Sequence, residues 1–249
     1  MSAFSYPDSP DPIRADLAEA YRWAWAHIAA SGTWLSGAER VAVAEETRRA
    51  RRCGLCRERK AALSPFAVDG EHDHSGALPA PMIDAVHRVT TDASRLSRAW
   101  YSSLLADGLS AEQYVEALGV TVLTISIDEF HHAMGLAPEP LPEPAAGEPS
   151  RATVPRTEID EVWVPVMDVR KASREQRALL GTPPGVPKVP NVIRALSLVP
   201  EQVNAWVQVA NAQYLSPDKM LGFETGRAID RAQMELVAGR TSSLNECFY

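Results

Sequence analysis

The stretch RRARRCGLCRERK, residues 48 to 60, joins two cysteines three positions apart to seven arginines or lysines. Three chemistries use such a pattern. A disulfide-exchange pair needs one thiolate to attack and a second thiol near enough to resolve the mixed disulfide. Two intervening residues bring Cys53 and Cys56 within bonding reach when Cys53 begins a helical turn, where free backbone N–H groups stabilise a thiolate. Arg52, Arg57, Arg59 and Lys60 favour the same charged form, so the reactive thiol is expected below the free-thiol value of ~8.5. A second chemistry is metal binding. Cys53, Cys56, His72 and His74 make a four-ligand zinc set spaced C-x2-C-x15-H-x-H, with an H-x-H tighter than in ordinary zinc modules. The third is a basic arm for phosphate.

The net charge of −7 argues against that third use, because nucleic-acid binding needs a basic balance to neutralise phosphates. A solvated helix face explains the basic run equally well. Composition is ordinary for a globular chain, with 45% hydrophobic and 23% charged residues in 249. The opening MSAFSYPDSPDP lacks the basic and apolar regions of a signal peptide. The apolar run ALGVTVLTISI is too short to span a bilayer. Three cysteines in such a chain suggest a reducing compartment, and a cytoplasmic protein is expected.

The elements that must position these residues read as helices. Asp11 before Pro12 marks a helix start, and Leu17, Tyr21, Trp25 and Ile28 repeat at helical spacing. Ser36 and Glu39 form a capping box that opens a helix towards Arg52, and Ser110 with Gln113 opens the longest apolar segment, closed by Gly135. Pro81 starts a helix with Ile83, Val86 and Val89 on one face, and Leu96, Trp100 and Leu104 mark another. FHH, residues 130–132, reads as helix surface. VWVPVMDV is β-rich, but Pro165 makes it an extended connection. Prolines 138, 140, 142, 144, 149 and 155 make residues 137–158 a linker. Helical pattern resumes at the Ser173–Gln176 box. The expected fold is all-α, with lobes at 1–136 and 159–249. Aligning Cys53 with Cys247 also matches Ala38/Ala232, Val43/Val237, Ala44/Ala238 and Thr47/Thr241, which points to a degenerate internal repeat.

The segment QMELVAGRTSSLNECFY resembles the core motif of the alkylhydroperoxidase D and carboxymuconolactone decarboxylase-like family. That motif carries a glutamate twelve residues before the first cysteine, then CxxC, then a histidine four residues later. Glu235 and Cys247 fall on the first two positions, and VPNVIRALSLVPEQVNAW is similar to the family's lead-in. In the first lobe Cys53 and Cys56 complete a CxxC, and EQYVEALGVTVLTISIDEFHHAMGL is similar to the closing helix. The departures are Val41 at the glutamate position and Lys60 at the histidine position. The second repeat stops at Tyr249, one position before the family's second cysteine.

The resemblance implies two tandem helical repeats and a thiol-dependent peroxidase of hydroperoxides, needing no cofactor and re-reduced by an external dithiol. It makes Cys56 peroxidatic and Cys53 resolving. Cofactor-free decarboxylation or lactone chemistry occurs in the same family, and a non-catalytic helical protein with a CxxC zinc site is the alternative outside it. For the missing glutamate, Glu45 lies eight residues before Cys53, within about 40° of the family position and one turn nearer. Glu45 and Glu46 equally fit as surface partners of Arg48 and Arg49. For the missing imidazole the candidates are His72, His74 and His87, with His87 favoured on its apolar helix. Association into a homodimer or larger homo-oligomer is expected, with no nucleic-acid or membrane partner.

Overall fold

A computed structural model describes residues 3–7, 9–158, 162–181, 189–220, 225–245 and 247. The helices are α1 (Ala15–Ala29), α2 (Gly37–Ala50), α3 (Gly54–Ala61), α4 (Ala80–Asp92), α5 (Arg98–Ala106), α6 (Ala111–Ala133), α7 (Arg174–Ala178), α8 (Asn191–Leu196), α9 (Pro200–Gln213), α10 (Pro217–Met220) and α11 (Arg231–Leu244). Among the described residues the only sheet is a pair of two-residue strands, β1 (Arg156–Thr157) and β2 (Val166–Met167), antiparallel with Arg156 opposite Met167. The fold is all-α. By internal contacts the chain divides into Met1–Val209 and Ala210–Tyr249.

In the first unit α2 packs against α1, α4 and α6, and α3 packs on α4. Their apolar stripes meet in a core that includes Ile28, Val43, Val86, Val115, Val120 and Ile127, all buried. The Ser36 and Ser110 capping boxes form as their sequences require: each hydroxyl accepts the amide three residues on, and Glu39 and Gln113 reach back to the cap amides. Gly135 adopts φ +67 just past α6, the left-handed backbone that a helix end favours and glycine takes without strain.

Helix α1 begins at Ala15 rather than at Pro12, because Arg14 is still extended and the Ser9 hydroxyl occupies the Asp11 carbonyl. The apolar stripe beginning at Leu17 decides the start; proline merely permits one. His131 in FHH is buried instead of lying on the surface. It stacks among Phe4, Tyr6 and Tyr21, and its Nδ1 lies 2.8 Å from the Ile127 carbonyl.

The proline-rich segment is extended, as its prolines demand, yet it is fastened to the first helices along much of its length. Trp25 Nε1 donates to the Pro140 carbonyl at 2.8 Å and Arg48 to that of Glu139 at 2.8 Å. The amides of Ala145, Ser150 and Arg151 donate to the carbonyls of Ala29, Gly32 and Thr33. The first of these satisfies a carbonyl that the end of α1 leaves open. Gly37 permits this approach: a Cβ there would lie 2.2 Å from the Ala29 oxygen and 2.7 Å from that of Ala145.

In the second unit α11 repeats the local architecture of α2. Each helix has 14 residues, opens with a capping box (Ser36 with Glu39, Asp230 with Gln233), and ends three residues before a cysteine. The registers coincide along both helices when Cys53 is set over Cys247.

Candidate metal and thiol site

Cys53 caps the N-terminus of α3 and Cys56 lies in that helix's first turn, so one turn of backbone holds both sulfurs on one side. Neither is oxidised, and they are 2% and 3% exposed. The 3.6-residue period does the same for α4. Ile83 and Val86 enter the core, while Asp84, His87 and Arg88 form the neighbouring stripe, which turns towards the cysteines. The loop between α3 and α4 supplies His72. It is tied down where Asp73 accepts the Gly54 amide at 2.9 Å and its own amide points at Cys53 Sγ at 3.4 Å.

The result is a cluster in which one ligand atom each from Cys53, Cys56, His72 and His87 lies within 4.8 Å of every other. Cys56 Sγ is 3.3 Å from His87 Nδ1 and 3.4 Å from His72 Nδ1, and Cys53 Sγ is 3.7 Å from His72 Nδ1. Each imidazole turns its far nitrogen to a carboxylate. His72 Nε2 lies 2.9 Å from Asp84 Oδ1, and His87 Nε2 lies 3.1 Å from Glu46 Oε2.

The carboxylates are held in turn. Trp100 Nε1 donates to Asp84 at 2.6 Å, and Arg59 and Arg88 donate to its other oxygen at 3.1 Å each. Burial works to raise the Asp84 pKa, but the hydrogen bonds from His72 and Trp100 and the Arg88 charge outweigh it and hold Asp84 well below the usual range. Fully buried Glu46 accepts both the amide and the hydroxyl of Ser75 at 2.7 Å. Its pKa is likewise lowered: burial opposes, but Ser75 and His87 prevail. Burial lowers the pKa of His87, so its ring is neutral at pH 7, with Glu46 opposing the shift.

The Cys56 thiol runs against the sequence expectation. Burial, then the neighbouring Cys53, push its pKa up to about 12 rather than below ~8.5. Much of the basic run is engaged with other partners. Arg48 forks onto Asp128 at 2.8 Å, Arg51 pairs with Glu129 at 2.6 Å, Arg49 with Glu45 at 2.6 Å, and Arg59 with Asp84. Lys60 donates to the Thr91 carbonyl. The basic run serves mainly to fasten helices.

Of the residues singled out in the sequence, the structure gathers Cys53, Cys56, His72 and His87. His74 stays outside, 3.3 Å from exposed Glu71, and Glu45 faces Arg49 in the half-exposed shell. Glu46 takes the place considered for Glu45: the two lie about 100° apart on the helix, and only the second faces α4. Asp84 went unnoticed. The polar stripe Asp84–His87–Arg88 beside an apolar one was the signal that could have found it.

The second-unit motif is open by comparison. Glu235 accepts from the Tyr214 hydroxyl and from Arg231 at 2.6 Å on the surface of α11, and Cys247 is exposed. No histidine follows His132 in the chain. A scan against protein-family models finds no match, and searches of curated proteins and of solved structures find none either.

Proposed function

We propose that Cys53 and Cys56 form a redox-active dithiol that reduces hydroperoxides, as the resemblance to the alkylhydroperoxidase D-like family implies. The chain Glu46–His87–Cys56, with Cys53 alongside, carries this reading. A carboxylate orients an imidazole whose Nδ1 faces the thiol at 3.3 Å, the arrangement by which a general base activates a nucleophile. Cys56 sulfur attacks the peroxide as His87 takes its proton; the O–O bond breaks, leaving Cys56 sulfenic acid and, with a proton, an alcohol. The Cys53 thiol then attacks that sulfur and releases water, forming the Cys53–Cys56 disulfide. An external dithiol returns both thiols to the reduced state and leaves as a disulfide.

The assay is hydroperoxide consumption with a dithiol reductant. Cys56→Ser is expected to abolish it and Cys247→Ser to leave it intact, with Glu46→Gln and His87→Gln each costing about 10²–10⁴-fold. The reverse cysteine pattern would move the activity to the second unit. A cytoplasmic location fits a dithiol that must be re-reduced; among the described residues no helix is long and apolar enough to cross a membrane. Leu236, Val237 and Leu244, all strongly exposed on α11, support self-association into a homodimer. A monomeric mass by light scattering would exclude it.

A further inference from the structure

We propose that Cys53, Cys56, His72 and His87 are the four ligands of a tetrahedral zinc site that fastens the end of α2, helix α3 and the following loop to α4. The inference does not rest on the peroxidase reading. It needs His72 and Asp84, which that reading leaves idle.

Distance is the first argument. Zinc binds thiolate at about 2.3 Å and imidazole at about 2.0–2.1 Å, so the sulfur-to-nitrogen edge of its tetrahedron is ~3.5 Å. Three of the four sulfur–nitrogen separations are 3.3, 3.4 and 3.7 Å, and the fourth, Cys53 to His87, is within 4.8 Å. One ligand atom of each of the four residues lies within 4.8 Å of every other, close enough for a single ion to draw them together.

The groups behind the ligands are the second argument. Metal-bound histidines characteristically donate their other ring N–H to a carboxylate, which fixes the tautomer and aims the lone pair. Both imidazoles are placed for this in the same sense, Nδ1 inward and Nε2 2.9 Å from Asp84 or 3.1 Å from Glu46. Arg59 Nη1 lies near both His72 Nε2 and Asp84 Oδ1. An ion on Nδ1 places the ring proton on Nε2, which leaves Arg59 to the carboxylate. The Asp73 amide aimed at Cys53 Sγ gives the sulfur a donor that stabilises its thiolate form.

Charge is the third. A pair of thiolates this deeply buried is costly without a compensating charge. A divalent ion cancels the two negative charges and deprotonates its thiol ligands outright. Two thiolates and two imidazoles select zinc over magnesium or calcium, which take oxygen ligands. Four protein ligands close the tetrahedron, so the site is structural and activates no water. A Cys53–Cys56 disulfide withdraws both sulfur ligands, so a bound ion and the oxidised pair are mutually exclusive states of one cluster.

The test uses the whole chain. Metal-free protein is titrated with Co²⁺, then with Zn²⁺ against a chromophoric chelator. The expected result is one ion per chain, with the intense visible bands of tetrahedral cobalt and thiolate-to-cobalt charge transfer. Asp84→Asn should weaken zinc by about 10–100-fold. His72→Ala should weaken it at least as much, and His74→Ala should change nothing. Weak octahedral cobalt bands, no binding, or affinity unchanged in His72→Ala would overturn the site. The cobalt spectrum of the unaltered chain needs no variant to fold. Peroxide consumption by the metal-free unaltered chain tests the relay separately, so either reading can fail alone.

Discussion

Two helices that each precede a cysteine, α2 and α11, share their length, their capping-box design and their three-residue interval to that cysteine, yet the cysteines end in opposite environments. After α2, Cys53 is buried among two imidazoles, a second thiol and their carboxylate supports. After α11, Cys247 is exposed, and the described part of its unit offers no histidine to face it. The position seven residues before the cysteine differs as well, Glu46 in one and Arg240 in the other. Local sequence rules can deliver a thiol to the end of a helix. What that thiol can do depends on a loop and a helix contributed from elsewhere.

The largest consequence is in reactivity. Without metal, an excess of an alkylating reagent near neutral pH should modify Cys247 more than an order of magnitude faster than Cys53 or Cys56, because only Cys247 is exposed and burial disfavours the Cys56 thiolate. Mass mapping of the labelled cysteines decides it, and comparable rates at all three would erase the contrast.

The carboxylates should differ next. Glu46→Ala strands the His87 ring and the Ser75 donors in a dry interior, at a cost of about 3 kcal/mol in urea unfolding. Glu235→Ala removes only a surface pair and should leave the urea midpoint almost unchanged. Equal costs would mean the two glutamates are equivalent after all.

Mild acid should act through the first unit alone, since all six histidines precede residue 133. Burial, then the Arg40 cation, hold His27 at about 3 against its ordinary 6.5, so the folded chain resists a proton that the unfolded chain accepts. Its effect is therefore absent well above pH 6.5, and stability falls as pH drops from there towards about 3, by up to ~1.4 kcal/mol per pH unit. His27→Gln should flatten that slope in thermal melts between pH 7 and 5, and an unchanged slope would refute the assignment.

The caps should be where the regions agree. Ser36→Ala and Asp230→Ala each remove the same hydrogen bond to a third-position amide, for about 1 kcal/mol. Helicity lost on heating should shift by similar amounts in both. A silent Asp230→Ala would show that α11 is held by something other than its cap.

The sequence determined the local layer of this protein: helices opened by capping boxes, a glycine closing α6, two sulfurs on one turn of α3, and matching helices before Cys53 and Cys247. These follow from the 3.6-residue period and from end groups that must find partners nearby. It also limited the imidazole candidates to His72, His74 and His87. The tertiary structure alone decided between neighbours that periodicity treats alike. Glu46 rather than Glu45 faces α4, because the packing of α2 sets which side of the helix is inside. His72 and His87 join the sulfurs and His74 does not, because the path of the loop and the docking of α3 on α4 bring together residues far apart in sequence. Burial followed from the same docking. It reversed the expected direction of the Cys56 shift, since desolvation acts on the whole surroundings of a charge, whereas Arg48, Arg51 and Arg59 are drawn off to carboxylates on other helices.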